Sequence, residues 1–157
     1  MTRSTGRLFV VVGLPGAGKT TLARVLAERH SALRFNPDEW MTDLGVDLFD
    51  SAFRDRLEQR LTGLAVEVLE GGGRAVVEFG SWSRTERDHL LDLGRAAGAA
   101  VELHVLDPDV EELWRRLSRR TTEPGQVPLD REALEACRAH WSPPDAAETA
   151  RYDPPLP

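Results

Sequence analysis

Residues 13–21 read Gly13-Leu14-Pro15-Gly16-Ala17-Gly18-Lys19-Thr20-Thr21 and directly follow the short apolar run 8–12. The stretch satisfies the pattern G-x-x-x-x-G-K-[ST] and lies between a predicted strand and a predicted helix. Its glycines allow backbone N–H groups to turn inward around phosphate oxygens, and the N-terminus of the following helix adds a favourable dipole. We therefore predict that 13–21 binds the phosphates of a nucleotide. A glycine-rich turn without a ligand is the alternative.

Lys19 is the one lysine of the chain, and the other 19 of its 20 basic residues are arginines. A GC-rich genome favours arginine codons, which accounts for the general excess of arginine. It does not account for Lys19, because a phosphate cradle takes a slim ammonium group better than a planar guanidinium. We predict that Lys19 binds the β- and γ-phosphates of ATP and that the Thr20 hydroxyl is a ligand of Mg²⁺.

Short apolar runs and helical periods alternate along the chain. We predict strands over 8–12, 33–36, 75–79 and 101–106. We predict helices over 20–30, 53–68, 85–97, from Asp107 or Asp109 to about 121, and over 131–141. Repeated strand–helix units of this kind are typical of an α/β chain with an open parallel sheet and helices on both faces. Ligands bind such sheets at the carboxyl ends of the strands.

The composition excludes several classes of protein. The net charge of −6 argues against a nucleic-acid partner, because phosphate backbones bind basic surfaces. No stretch approaches 18 consecutive apolar residues, so we expect no membrane span. The apolar run 8–12 leads directly into the glycine-rich motif, which argues against a secretion signal. A single cysteine is typical of a reducing compartment, so we expect the protein to be cytoplasmic. We also expect a monomer or homodimer.

Acidic residues follow the second predicted strand, in Pro37-Asp38-Glu39-Trp40. A carboxylate at this strand end faces the γ-phosphate and can accept the proton of an attacking hydroxyl. Asp38 is our candidate for this base, and Glu39 is the rival. Helix capping by Asp38 alone is the alternative interpretation. We expect Trp40 to pack in the core or to form a wall of the acceptor pocket.

Glu78 lies at the end of the third predicted strand. P-loop proteins often carry a carboxylate here that orients magnesium through water, so we predict Glu78 in the metal shell. Residues 83–86 match a capping box, which begins the next helix. Trp82 precedes this helix, and Arg84 and Arg87 belong to its first turn. We expect these three residues to contact an anionic acceptor or a phosphate, with a solvent-exposed helix surface as the alternative.

Two arginines flank the apolar stripe of the helix before the Pro/Gly segment 121–128. Arg116 and Arg120 are four residues apart and therefore lie on one face of the helix. We predict that 121–128 is a lid loop and that both arginines bind the nucleotide, stabilising charge on the transferring phosphoryl group. A solvated basic face paired with Glu111 and Glu112 is the alternative.

Together these motifs resemble those of small bacterial P-loop kinases labelled "AAA family ATPase", whose relatives include polynucleotide kinase, chloramphenicol phosphotransferase and zeta-toxin kinases. The similarity extends to about residue 144 and rests on the phosphate loop and on segments 37–40, 82–87 and 114–120. It implies an α/β P-loop NTPase fold with a parallel sheet of four or five strands in the order 2-3-1-4. It also implies Asp38 as the acceptor-activating aspartate and Arg116 and Arg120 as lid arginines.

We expect a single domain over 1–157, with an irregular proline-rich tail over 142–157. The expected activity is that of a kinase dependent on Mg²⁺ and ATP. It would transfer the γ-phosphate to a hydroxyl of a small molecule, such as an antibiotic, a sugar or a nucleoside-like compound. A nucleotide-binding switch without an acceptor is the alternative. The acidic charge disfavours a polynucleotide 5′-hydroxyl as the acceptor. The motifs do not choose between ATP and GTP.

Overall fold

The computed structural model describes residues 5–120 and 129–157, with Arg120 described by its backbone only. Four strands form one parallel sheet in the order β2-β3-β1-β4. Their bounds are β1 (Arg7–Val12), β2 (Leu33–Phe35), β3 (Arg74–Gly80) and β4 (Ala100–Val105). The predicted α/β fold and strand order are thus confirmed, and the described residues contain four strands rather than five.

Seven helices accompany the sheet in the described residues. They are α1 (Lys19–His30), α2 (Pro37–Asp43), α3 (Ser51–Glu70), α4 (Arg84–Ala96), α5 (Val110–Arg120), α6 (Arg131–Ala139) and α7 (Ala146–Thr149). The predicted capping box is present at the start of α4, where Ser83 and Glu86 bond each other's backbone N–H groups. None of these helices combines the length and apolar character needed to cross a membrane.

β1 is buried on both faces because helices cover both sides of the sheet. Leu8, Val10 and Val12 pack into a core formed with side chains of α3 and α4. Phe9 and Val11 point the other way and pack against α1. A continuous apolar run is typical of a central parallel strand for this reason. The carboxyl end of β1 consequently opens at one edge of the sheet, between the two helical layers.

The structure corrects two local expectations. β2 ends at Phe35 and not at Asn36, because Asn36 is the N-cap of α2 and accepts a hydrogen bond from the Glu39 N–H (3.1 Å). The tail 142–157 was expected to be irregular, yet it contains α7. Asp145 caps α7 by accepting from the Glu148 N–H (2.7 Å). The predicted lid, 121–128, lies outside the described residues.

A buried ion pair ties this tail to the body of the protein. Glu148 accepts hydrogen bonds from Nε and Nη2 of Arg87 at 2.6 and 3.0 Å, and both side chains are almost fully buried. The remaining donors of Arg87 bond the backbone oxygens of Ser81, Trp82 and Ser142. Arg87 is therefore fully committed inside the protein. The expectation that it contacts an acceptor is corrected to a structural role.

Removing one partner of this pair should destabilise the fold strongly. We expect Glu148→Ala to lower the free energy of unfolding by about 3–5 kcal/mol, because the Arg87 guanidinium would remain buried without a counter-charge. Urea denaturation followed by circular dichroism measures this change. The exposed Glu67 of α3 provides a control, since Glu67→Ala should change stability by less than about 0.5 kcal/mol. Equal stability of Glu148→Ala and this control would contradict the assigned role.

Candidate active site

The predicted phosphate loop connects β1 to α1, and two of its glycines, Gly13 and Gly16, have no room for a side chain. A Cβ at Gly13 would lie 2.6 Å from the backbone oxygen of Leu106. Gly16 has a φ of 82°, and a Cβ there would lie 2.9 Å from Cγ of Leu117. Leu14 and Ala17 are buried against α5 and α6. The loop is therefore held in one shape by its packing, while Pro15 is half-buried and Thr21 is exposed.

Lys19 directs its ammonium group back into the loop. Its Nζ donates hydrogen bonds to the backbone oxygens of Gly13 (2.8 Å) and Leu14 (3.0 Å). Gly18, the N-cap of α1, has φ 98°, and no side-chain hydrogen bond caps this helix end. The first-turn N–H groups and one ammonium thus converge on the inside of the loop. Such an arrangement suits an anion.

Glu78 lies at the centre of a buried polar network beside the loop. Its carboxylate accepts hydrogen bonds from Thr20 Oγ1 (2.7 Å), Asn36 Nδ2 (2.5 Å) and Arg34 Nη1 (3.2 Å). Burial raises the pKa of Glu78, while the Thr20 hydroxyl and the Arg34 guanidinium act in the opposite direction. The network brings together side chains from β2, β3 and α1. It places both residues predicted for the metal, Thr20 and Glu78, in direct contact.

This pair fits a hard divalent cation by its chemistry. A hydroxyl oxygen and a carboxylate oxygen at a phosphate loop are the donor types that Mg²⁺ takes, alongside substrate phosphates and water. Within the described residues, no group of three or more His, Cys, Asp and Glu side chains could hold a metal by itself. A magnesium ion would therefore depend on the nucleotide phosphates for the rest of its ligands.

Asp38 lies in the first turn of α2 and is not its N-cap, which is Asn36. The alternative interpretation of Asp38 as a cap is therefore wrong. Its carboxylate is 43% exposed and forms an ion pair with Arg54 of α3. Glu39, the rival base, is instead paired with Arg34 (2.6 Å) and Arg24 (3.2 Å). The two carboxylates are equally exposed, with Glu39 at 42%, and they differ in their partners: Asp38 faces α3, whereas Glu39 faces β2 and α1.

The two tryptophans predicted at the site occupy different environments. Trp82 supports the phosphate loop, since its Nε1 donates to the backbone oxygen of Gly13 (3.1 Å). Trp40 is 41% exposed on α2. Arg84 is half exposed and lies 3.6 Å from Asp88, one turn along α4. Trp40 and Arg84 remain available at the surface for a ligand.

Arg116 reaches the phosphate loop from α5. Its Nη1 donates to the backbone oxygens of Ala17 (3.1 Å) and Gly16 (3.5 Å), and its Nε donates to Glu112 (2.8 Å). Arg116 thus lies against the predicted phosphate loop, and it also forms the ion pair with Glu112 that the alternative interpretation expects. The side chain of Arg120 lies outside the described part of the chain.

Sequence reasoning missed four polar residues at or near the site: Arg34, Asn36, Arg54 and Glu58. Asn36 carried a readable signal, because asparagine before Pro37 is a favoured helix cap. The other three side chains meet their surroundings only through tertiary packing. Glu58 is half-buried on α3, and burial raises its pKa to about 7 from the ordinary 4.5.

Comparison with known proteins adds further observations. Residues 8–144 match the protein family described as AAA domain. The chain is 30% identical over 161 residues to a guanylate kinase of Nitrobacter hamburgensis, covering 87% of this chain and 72% of that protein. The fold resembles Chaetomium thermophilum Kti12 in complex with ADP-AlF3, with a TM-score of 0.73 and 20% identity over 94% of this chain and 86% of that one.

A second structural relative is a chain of the Pnkp1/Rnl/Hen1 RNA repair complex, with a TM-score of 0.76 and 21% identity. The match covers 88% of this chain but only 45% of that chain. The present chain thus spans less than half the length of this relative, and the similarity concerns the fold.

Glu58 makes stability depend on pH. The folded carboxyl keeps its proton up to about pH 7, whereas the unfolded one loses it near 4.5. Unfolding therefore releases a proton between these values, and stability falls as pH rises through this window. Glu58→Gln removes this cost, so we expect its Tm to exceed that of the wild type by ~3 °C at about pH 8 and to match it at about pH 4, below the window. Calorimetry at both pH values checks this, and a pH-independent difference would contradict it.

Lys19 should not tolerate arginine. We expect Lys19→Arg to weaken ATP binding at least about tenfold although the charge is kept, because a planar guanidinium does not fit between the Gly13 and Leu14 oxygens. Binding of a fluorescent ATP analogue measures the effect. Arg29→Lys, a reverse exchange at an exposed position of α1, should leave the affinity unchanged. Wild-type affinity of Lys19→Arg would refute the argument from shape.

Proposed function

This chain belongs to the AAA domain family of P-loop kinases, and we propose that it transfers the γ-phosphate of ATP to a hydroxyl group of a small molecule. The observation that carries the proposal is the position of Asp38. Asp38 lies in the first turn of α2, two residues after Asn36, and Asn36 bonds the Glu78 carboxylate that contacts Thr20 of the phosphate loop. An exposed carboxylate is thereby held close to the site that would hold the γ-phosphate.

The nucleotide phosphates would be bound by the backbone of 13–21 and by Lys19. Thr20 would be a direct ligand of Mg²⁺, and Glu78 would orient it by accepting from its bound water. When bound, this ion neutralises charge on the phosphate oxygens. Arg116, which already contacts the loop, would stabilise the charge of the transferring group together with Arg120.

Asp38 would act on the acceptor. The acceptor oxygen forms a bond to the γ-phosphorus, the bond between this phosphorus and the β,γ-bridging oxygen breaks, and ADP leaves. The hydroxyl proton passes to the Asp38 carboxylate. The Arg54 ion pair supports this role, because it holds the Asp38 carboxylate in one orientation before the transfer.

A polynucleotide is the second candidate acceptor, since the fold is shared with a chain of an RNA repair complex. The net charge of −6 counts against it. A nucleotide switch without an acceptor is disfavoured by membership of a kinase family and by the exposure of Asp38. We further propose that the protein is cytoplasmic and that it is a monomer or a homodimer.

The proposal is tested by replacing the base. The wild type is first screened for ADP release with hydroxylated metabolites and antibiotics, each in the presence of Mg²⁺ and ATP. With the best acceptor, we expect Asp38→Asn to lower kcat by about 10²–10⁴-fold, because the amide cannot take the proton. ATP affinity, measured by calorimetry, should change little.

Asp43→Asn is the matched control, since Asp43 is an exposed aspartate at the other end of α2. It should keep wild-type kcat. Transfer by Asp38→Asn at the wild-type rate would remove Asp38 from the mechanism. Absence of phosphorylated product from every hydroxylated compound would favour the switch.

A further inference from the structure

A cavity of about 350 Å³ lies between α3 and α4 at the carboxyl end of β3. Its walls include Phe79 and Leu90, which supply apolar surface, and the polar side chains of Thr62 and Ser81. The volume is that of a small-molecule site. Ser81 follows Gly80, whose backbone oxygen accepts a hydrogen bond from the Gly13 N–H at 3.4 Å. The cavity therefore lies next to the phosphate loop.

The ion-pair partner of the proposed base lies on the same helix as one wall of the cavity. Arg54, which pairs with Asp38, lies on α3 one residue before Asp55 of the cavity wall and one turn before Glu58. Both Arg54 and Asp38 are close enough to Glu58 to affect its ionisation. Glu58 therefore connects the wall of the cavity with the neighbourhood of the Asp38–Arg54 ion pair.

The charge of the cavity is unbalanced. Asp55, Glu58 and Glu86 line it, and within the part of the chain that the structure describes no lysine or arginine does. Arg54 is engaged with Asp38 and with the backbone oxygen of Leu48. Glu86 is engaged with Ser83 in the capping box. His89 is the remaining titratable group of the wall.

Glu58 is the distinctive member of this wall. Its side chain is half-buried, and among the described residues the one side chain that bonds Glu58 is Thr62, whose hydroxyl donates to the backbone oxygen and not to the carboxylate. Burial and the neighbouring acids raise the free energy of its charged form, and the favourable interaction with Arg54 offsets only a part of this cost. A half-buried carboxylate without a cation is stabilised by a ligand that supplies one.

We propose that this cavity is the acceptor site and that it takes a hydroxylated compound carrying a protonated amino group, with Glu58 as the counter-ion of the ammonium. This inference rests on the proposed phosphotransfer and adds the substrate class. The neutral Thr62 and Gln59 side chains are available to bond further hydroxyls of the acceptor. An anionic acceptor would face three carboxylates, and a neutral one would leave Glu58 unpaired.

Matched probes test the charge requirement. Serinol and glycerol differ by one amino group in place of a hydroxyl, as do glucosamine and glucose. Binding of each to the full chain, saturated with Mg²⁺ and a non-hydrolysable ATP analogue, is followed by NMR chemical-shift titration. We expect each amine to bind about tenfold more tightly than its neutral partner. We expect Glu58→Gln to abolish this preference while leaving binding of the ATP analogue unchanged.

Glu67→Gln provides the matched control. Glu67 is an exposed glutamate of the same helix, nine residues from Glu58 and therefore on its opposite side. This variant should keep the wild-type preference. Equal affinity for amine and neutral probes, a preference that survives in Glu58→Gln, or no binding of either amine would each overturn the inference.

ADP release with the same probes separates this inference from the proposed function. Phosphotransfer to neutral compounds, without amine binding, would refute the cation site and leave the kinase activity standing. Glu58-dependent binding of amines without phosphotransfer to any hydroxylated compound would support the cation site and refute the proposed reaction.

Discussion

The carboxylate of Glu78 is the point on which the arrangement of the site depends. It joins Thr20 at the start of α1, Asn36 at the cap of α2 and Arg34 on β2. Buried polar groups are costly unless every one of them finds a partner, and within the described residues no buried side-chain nitrogen or oxygen lacks one. The network therefore favours one relative placement of the phosphate loop and the helix that carries Asp38.

Asn36 connects local structure with this network. Its oxygen accepts from the Glu39 N–H and so begins α2, while its nitrogen donates to Glu78. One side chain thus ends β2, sets the direction of the next helix and holds the carboxylate predicted for magnesium. An aspartate would serve as the cap but would offer no donor to Glu78.

The arginines of the chain have different physical roles, although one bias in codon usage accounts for their general excess. Arg87 is fully buried and joins the tail to the end of β3, next to the Trp82 that bonds Gly13. Arg54 orients Asp38, and Arg116 contacts the phosphate loop from outside. A guanidinium has five donors in a rigid plane, which suits several carbonyl and carboxylate partners at once. Lys19, inside the loop, has the compact charge that a phosphate cradle requires.

The amino-acid sequence by itself determined the elements and their order. The apolar run of β1, the glycine pattern of 13–21 and the helical periods are local, and they predict the parallel sheet and the loop that Lys19 enters. The contact between Thr20 and Glu78, the two residues predicted to hold magnesium, is consistent with this order, because strand ends meet at one edge of a sheet.

Tertiary structure alone decided which charged side chains are buried and which partners they take. Arg84 and Arg87 belong to one helical turn, and their sequence positions predict the same role, yet one is exposed and the other pairs with Glu148, 61 residues away. The position of a residue on a helix specifies the direction of its side chain, but the oppositely charged partner that the side chain meets can come from a segment distant in sequence. For the same reason the cavity between α3 and α4, with Glu58 in its wall, is visible only in the folded chain.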